Sequence, residues 1–152
     1  MNALTRAERA LVQASDPASV AFQLNGREVV AAPGETLLQV ARREGVEIPH
    51  LCYKDGLEPA GNCRACMVEI DGERVLAPSC CRQPANGMKV QTDSPRARKA
   101  QSMVLELLQS DMPETAYTRD SELDQWSARL EIGKPRFAPR APVAPDLSHP
   151  AI

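Results

Sequence analysis

The sequence predicts a small α+β fold, in which one helix crosses a mixed β-sheet. The first observation is a pair of turn signals, Asn25-Gly26 and Asp71-Gly72, each lying between two runs of strand-forming residues. Two-residue hairpin turns require positive φ, which Asn, Asp and Gly tolerate best. The second is a helical pattern between the two hairpins, and a last short strand is predicted at residues 87–92. The resulting order, ββα, loop, ββ, β, is that of an α+β domain.

Length and composition narrow the class of protein. The chain has 152 residues and a net charge of −2, so it can form one domain with extensions and has no basic excess for nucleic acid. No apolar run reaches the roughly 20 residues of a transmembrane helix. The N-terminus lacks the apolar region of a secretory signal, so we expect a cytoplasmic protein that does not bind membranes. Residues 1–18 are predicted to be a flexible lead-in.

The first hairpin and the helix follow directly from the local sequence. Strands are predicted at residues 19–24 and 27–32, on either side of the Asn-Gly turn. Thr36 and Gln39 have the spacing of a capping box, which marks the start of a helix. Gly45 stands where a glycine in the left-handed conformation ends a helix.

After the helix, residues 53–62 are predicted to be an irregular loop because they contain Gly and Pro and lack periodicity. Strands are then predicted at residues 66–70 and 73–77, around the Asp-Gly turn. Pro78 is expected to end the second of these strands. The loop and the second hairpin lie within residues 50–82, the part of the sequence whose side chains could bind a metal or cofactor.

That part contains all five cysteines of the chain. With Cys80 as the fourth position the spacing is C-x10-C-x2-C-x13-C, made by Cys52, Cys63, Cys66 and Cys80. Without a secretory signal, such cysteines favour a metal centre over disulfides. A [2Fe–2S] cluster is held by four Cys thiolates, with one close pair and a distant fourth Cys. A zinc site is the alternative, although all-cysteine zinc sites usually have two closely spaced pairs.

Two neighbouring residues invite other interpretations. His50 precedes Cys52 by two positions, but a Rieske centre needs two histidines and the second one, His149, is far away in the sequence. We therefore expect His50 to be a loop residue with a structural hydrogen bond. Cys81 follows Cys80 directly, and the spacing alone leaves it open as the fourth ligand.

Two helices and a linker are predicted after the sheet. Ser94-Pro95 is a typical helix start, and five apolar residues follow at helical spacing: Ala97, Ala100, Val104, Leu107 and Leu108. A second helix is predicted near residues 121–131, capped by Ser121, with Leu123, Trp126 and Leu130 on one face. Residues 133–152 are Pro-rich and predict an extended linker. The predicted units are the lead-in, a domain at 19–94, a helical extension at 95–132 and this linker.

The run IPHLCYKDGLEPAGNCRACMVEIDGERVLAPSC resembles a known family of electron-transfer domains. It is similar to the N-terminal [2Fe–2S] domain, of β-grasp ferredoxin type, in three related subunits. These are the large subunit of respiratory complex I, the diaphorase subunit of NAD-reducing hydrogenases, and the α subunit of NAD-dependent formate dehydrogenases that contain molybdenum or tungsten. The resemblance covers about residues 20–110, and the ending DLSHPAI looks most like the formate dehydrogenase subunit.

The resemblance implies roles for individual residues. The four positions that match the cluster ligands of the family are Cys52, Cys63, Cys66 and Cys80. The backbone around the cluster would come from Gly61, Asn62, Arg64 and Ala65. Cys81 falls at a variable position of the family and is implied to be a non-ligand.

The implied function is one-electron transfer inside a multi-subunit formate dehydrogenase that oxidises formate to CO2 and reduces NAD⁺. Expected partners are a flavin- and NAD-binding subunit and a molybdopterin domain, with flavin, [4Fe–4S] clusters and the Mo or W pterin lying outside this stretch. Complex I-like relatives bind a [4Fe–4S] cluster after the long helix through one His and three Cys. Residues 109–133 contain neither residue type, so that cluster is not expected here.

No acid–base pair, phosphate loop or nucleophile is evident, so this stretch is not expected to be catalytic by itself. Two alternatives to the relay stay open: a free-standing ferredoxin-like carrier and a zinc-stabilised interaction module.

Overall fold

The computed structural model of the protein describes residues 19–112 and 121–138. These ranges form one five-stranded sheet and three helices, which confirms the predicted α+β architecture. The elements are β1 Val20–Leu24, β2 Arg27–Ala31, α1 Leu37–Arg43, β3 Met67–Ile70, β4 Ala77–Pro78, β5 Lys89–Gln91, α2 Pro95–Ser110 and α3 Glu122–Arg129. The predicted lead-in and the linker beyond residue 138 lie outside the described residues. None of the helices in the described ranges has the length and apolarity needed to cross a membrane.

The sheet has the strand order β2-β1-β5-β3-β4, with β1 and β5 parallel and the other neighbours antiparallel. The predicted first hairpin is confirmed, because Asn25 and Gly26 both adopt positive φ, at 50° and 79°. The Asn25 side chain also joins the turn to the end of β5. Its amide donates to the Thr92 hydroxyl at 2.8 Å, and its oxygen accepts from the Thr92 backbone N–H at 2.8 Å.

Helix α1 begins and ends where the sequence predicted. Thr36 accepts from the Gln39 backbone N–H at 3.4 Å, and the Gln39 side chain accepts from the Thr36 N–H at 2.8 Å, so the capping box is formed. Gly45, at φ 75°, terminates the helix. One face of α1 packs into the main core, which contains Phe22, Leu24, Leu37, Leu38, Val40, Ile48, Val68, Ile70 and Val90.

The second predicted hairpin forms, with a turn at Asp71-Gly72, but its second strand is shorter than predicted. Only Ala77 and Pro78 pair with β3, and the chain between Ile70 and Ala77 forms a loop instead of a strand. The carbonyl of Arg74 in this loop accepts a hydrogen bond from the guanidinium of Arg96 on α2. The strand ends at Pro78 as expected, and Pro78 is itself paired with Met67, as proline can be at a sheet edge.

Helix α2 begins after Ser94 as predicted, with the Ser94 hydroxyl accepting from the Ala97 N–H at 3.1 Å. The predicted apolar stripe is partly wrong, because Leu107 is 53% exposed. The buried line runs instead through Ala97, Gln101 and Leu105, at a spacing of four residues. A search for apolar residues misses Gln101, whose amide donates to the carbonyls of Met67 at 2.8 Å and Thr92 at 3.0 Å.

Helix α3 is capped by Ser121, whose hydroxyl accepts from the Asp124 N–H at 3.2 Å. The three apolar residues predicted on one of its faces, Leu123, Trp126 and Leu130, all join a second core. That core also contains Leu105 of α2 and Ala65 of the cysteine-bearing loop. The two C-terminal helices therefore pack on the loop that holds the candidate site.

In the described residues that follow α3, an ion pair between Arg136 and Glu106 connects the chain to α2. The Arg136 guanidinium donates to the Glu106 carboxylate at 2.8 Å and 2.7 Å, and the Arg136 backbone N–H donates at 2.9 Å. These hydrogen bonds, those of the guanidinium first, lower the pKa of Glu106 to about 2. The carboxylate therefore stays charged, and able to pair with Arg136, to lower pH than an unpaired glutamate.

Replacing Gln101 with Ala should destabilise the protein. The substitution removes both amide hydrogen bonds and leaves a buried and a partly buried carbonyl without this donor, at a cost of about 1–3 kcal/mol. Urea unfolding followed by circular dichroism would measure this change. Lys99→Ala, an exposed position of the same helix, is the matched control and should have little effect. Equal stabilities of the two variants would contradict the proposed role of Gln101.

Replacing Glu106 with Ala should free the segment that follows α3. Trypsin should then cleave after Arg136 roughly tenfold faster, because the charge-assisted hydrogen bonds that hold this residue are gone. Timed digestion with mass spectrometry of the fragments would follow the cut. Glu131→Ala, which removes an exposed carboxylate nearby, is the control. Unchanged cleavage at Arg136 in the Glu106 variant would show that the ion pair does not fasten the segment.

Candidate metal centre

The four predicted ligands come from two parts of the chain. Cys52, Cys63 and Cys66 lie on the long connection between α1 and β3, and Cys80 lies two residues after β4. The connection is irregular, as predicted for residues 53–62. Cys66 and Cys80 are each 1% exposed, whereas Cys52 and Cys63 are partly buried. All are free thiols.

Cys52 and Cys63 form the first pair. The backbone N–H of Cys63 donates to Sγ of Cys52 at 3.5 Å. Burial raises the pKa of the Cys52 thiol, but the N–H of Cys63, the Cys63 thiol and the N–H of Asn62 outweigh it and lower that pKa overall. Burial raises the pKa of Cys63, against the N–H groups of Ala65 and Leu51. The loop backbone thus directs N–H dipoles at both sulfur atoms.

Cys66 and Cys80 form the second pair. The pairing of β3 with β4 places Met67 opposite Pro78, and the Ser79 N–H donates to the Cys66 carbonyl at 3.0 Å. This ladder brings the two cysteines together at one end of the hairpin. Burial, and then the charge and hydrogen bond of the Cys66 sulfur, raise the pKa of Cys80. A buried thiol pair of this kind becomes ionised when a metal binds it.

The arrangement of two pairs is what a binuclear cluster requires. A structural zinc site instead needs four ligands around one point. In a [2Fe–2S] cluster each iron takes two of the four protein ligands, so two separate thiol pairs are what it requires.

The backbone between the pairs is shaped for close approach to the sulfur atoms. Of the four predicted cluster-loop residues, Asn62 and Ala65 direct N–H groups at Cys52 and Cys63. Gly61 and Arg64 both adopt positive φ, at 64° and 59°. The left-handed conformation is strained for a residue with a side chain. The loop therefore holds the Arg64 backbone in an energetically unfavourable conformation. Sequence reasoning did not predict this feature, because arginine carries no turn signal.

Cys81 lies beside the second pair. Its Sγ is 3.5 Å from Sγ of Cys80, and its side chain is exposed. A cavity of about 590 Å³ lies on this side of the loop, lined in part by Thr36, Tyr53, Leu57 and Cys81. The fifth cysteine is thus located between the second pair and solvent.

Helix α3 covers another part of the loop. The ring of His50 lies between Tyr53 and Trp126, with centroids 5.9 Å from each. His50 Nδ1 is 2.8 Å from the Ile48 carbonyl, which is the structural hydrogen bond expected for this residue. Ala65, fully buried, and Cys63 pack against the core that α3 forms with α2. The contact of Trp126 with the loop could not be found from the sequence, because periodicity indicates an apolar face but not its partner.

Comparison with known proteins agrees with this geometry. The model of a family described as a 2Fe-2S iron-sulfur cluster binding domain matches residues 17–95, just over half of the chain. The mitochondrial NADH-ubiquinone oxidoreductase 78 kDa subunit of Candida albicans is 35% identical over 88% of this chain and 19% of its own. A subunit of the NADH-quinone oxidoreductase of Rickettsia felis is 37% identical over 62% of this chain and 14% of its own.

A solved structure shares the fold. The crystal structure of an NAD⁺-reducing [NiFe]-hydrogenase in the H2-reduced state has a chain that superposes with a TM-score of 0.74. The sequences are 27% identical, and the match covers 86% of this chain and 57% of that one. The chain spans less than a fifth of the length of the two oxidoreductase subunits.

The fold, the two thiol pairs and the matching family model agree with one another. The domain carries a single [2Fe–2S] cluster, and its relatives are subunits of NAD-linked oxidoreductases. The chain belongs to the family of 2Fe-2S iron-sulfur cluster binding domains.

Proposed function

We propose that this chain is a one-electron relay whose cluster is held by Cys52, Cys63, Cys66 and Cys80. The single observation that carries the proposal is the arrangement of these thiols as two pairs, Cys52 with Cys63 on the loop and Cys66 with Cys80 at the end of the β3–β4 ladder. A [2Fe–2S] cluster bound by four thiolates gains and loses one electron at a time.

In this proposal, the backbone N–H groups around the sulfur atoms stabilise the cluster ligands and help to set the reduction potential. The N–H groups of Asn62, Cys63 and Ala65 point at thiolates and stabilise their negative charge. Hydrogen bonds to cluster sulfur are one of the means by which a protein sets the reduction potential.

We propose that residues 19–94 form the cluster domain and that residues 95–132 cover one of its sides.

The larger assembly that we propose is an NAD-dependent formate dehydrogenase. The support is the formate dehydrogenase-like ending DLSHPAI and the absence of His and Cys from residues 109–133, where complex I-like relatives bind a [4Fe–4S] cluster. The relay would pass electrons between a molybdenum or tungsten pterin that oxidises formate and a flavin that reduces NAD⁺. The two partners would be the molybdopterin domain and the flavin subunit, in the cytoplasm.

The decisive experiment uses the assembly that contains this chain, purified without oxygen. Formate, NADH or H2 would be added separately, and the electron paramagnetic resonance spectrum recorded with iron and sulfide assays. We expect a rhombic S = 1/2 signal after formate and after NADH, but not after H2. Reduction by H2 but not formate would assign the chain to a hydrogenase, and reduction by NADH alone to a complex I-type enzyme. One zinc and no signal would overturn the relay itself.

Loss of the α3 cover should expose the cluster. Trp126→Ala removes the ring that packs on His50, so water and chelators should reach the cluster-binding loop more easily. We expect the visible absorption to bleach roughly tenfold faster in the presence of an iron chelator, a change equal to about 1.4 kcal/mol in the opening of the loop. Gln125→Ala, at the adjacent exposed position, is the control. Bleaching at the same rate in both variants would show that α3 does not protect the site.

A further inference from the structure

We propose that Cys81 is a substitute ligand of the cluster, able to bind in place of Cys80. The proposal rests on the function proposed above, in which Cys80 is the resident fourth ligand. It gives a role to the fifth cysteine, which the four-thiolate pattern does not use.

The distance between the two sulfur atoms is the first support. Sγ of Cys81 lies 3.5 Å from Sγ of Cys80. With metal–sulfur bonds of about 2.3 Å, two thiolates on one tetrahedral metal are roughly 3.8 Å apart. The two sulfur atoms are thus about as far apart as two ligands of one metal atom, and a displacement of 3.5 Å would bring the Cys81 sulfur to the position of the Cys80 sulfur.

Gly61 is the second support. A Cβ built on this residue would lie 2.9 Å from Sγ of Cys81, closer than a side-chain atom can normally approach, and Gly61 adopts φ +64°. The cluster-binding loop therefore leaves room for the Cys81 sulfur beside the Cys80 sulfur. A Cβ built on Gly56, which also has a positive φ, would have no atom within 4 Å. The close contact is therefore not a general consequence of positive φ but a feature of Gly61.

The environment of Cys81 leaves its sulfur free to move. The side chain is exposed and borders the 590 Å³ cavity, whereas Cys80 is 1% exposed. Its other close polar neighbour is the Pro59 carbonyl, 3.8 Å away, which is a weak contact for a thiol. Rotation of the Cys81 side chain toward the metal therefore breaks no strong interaction.

The exchange balances without a redox partner. The iron–sulfur bond of Cys80 breaks and a bond to Cys81 forms, so the cluster keeps four thiolates and its charge. Cys81 releases the proton of its thiol, and the Cys80 thiolate takes up one proton. No electron is transferred. The exchanged form would hold the cluster nearer to solvent.

The test compares Cys80→Ala with Cys66→Ala in the full chain. Cys66 is the matched control, because it is equally buried and belongs to the same pair but has no cysteine beside it. We expect the Cys80 variant to retain about two iron and two sulfide per chain, with shifted g values in its resonance spectrum. The Cys66→Ala variant and the double variant Cys80→Ala/Cys81→Ala should lose the cluster.

A second pair of variants keeps the test valid if the alanine variant does not fold. Cys80→Ser conserves the volume of the side chain, and circular dichroism would verify its fold. The absorption of Cys80→Ser should match a cluster with four sulfur ligands, whereas Cys80→Ser/Cys81→Ala should show the blue shift of an oxygen ligand. An oxygen-ligated spectrum in the single variant would overturn the proposal.

The remaining outcomes separate this proposal from the one on which it rests. A folded Cys80→Ala variant as free of iron as Cys66→Ala would overturn the substitute ligand and leave the relay intact. Unchanged g values in Cys80→Ala, with loss of the cluster in Cys81→Ala, would instead make Cys81 the resident ligand. A wild-type chain without iron would overturn the proposed function.

Discussion

The candidate site depends on the pairing of the two short strands β3 and β4. Cys66 directly precedes β3, and Cys80 follows β4 by two residues, so the two thiols meet only because Met67 lies opposite Pro78. The hydrogen bond from the Ser79 N–H to the Cys66 carbonyl extends this ladder up to the cysteines. A shift of register by one residue would turn every side chain of the strand to the other face and separate the pair. The sheet thus acts as the fixed half of the site.

The other half of the site is held by a loop that has little regular structure of its own. Its N–H groups are not used in strands or helices and are therefore available to the sulfur atoms of Cys52 and Cys63. Such a loop needs support from outside, which it receives from two sides. Ile48 and Tyr53 enter the main core, while Leu51, Cys63 and Ala65 pack on α2 and α3. The helices after the sheet are therefore part of the architecture of the site.

This packing gives the site a covered part and an open part. Helix α3 covers the loop through the contact of Trp126 with His50, whereas the exposed Cys81 borders a cavity of about 590 Å³. Electron transfer requires both a protected cluster and a surface that a partner can approach. The asymmetry satisfies both requirements, because protection and access are provided by different parts of the chain.

The sequence by itself determined the features that are encoded within a few neighbouring residues. The Asn25-Gly26 turn, the capping box of Thr36 and the caps Ser94 and Ser121 were all predictable, because each depends on local hydrogen bonds or positive φ. The cysteine spacing likewise indicated the class of cofactor, since four thiolates with one close pair are a covalent property of the chain.

Tertiary structure alone decided the features that involve residues far apart in the sequence. The carbonyl of Arg74, in the loop found where a strand was expected at residues 73–77, accepts a hydrogen bond from Arg96 on a helix distant in the sequence. Gln101 lies on the buried line of α2, where its amide donates to two distant backbone carbonyls. Hydrophobic periodicity does not indicate a buried polar residue of this kind. The same reason explains why the division of the thiols into pairs emerged only from the fold. Strand register and loop packing determine which sulfur atoms become neighbours. Spacing along the chain only limits which of them are able to do so.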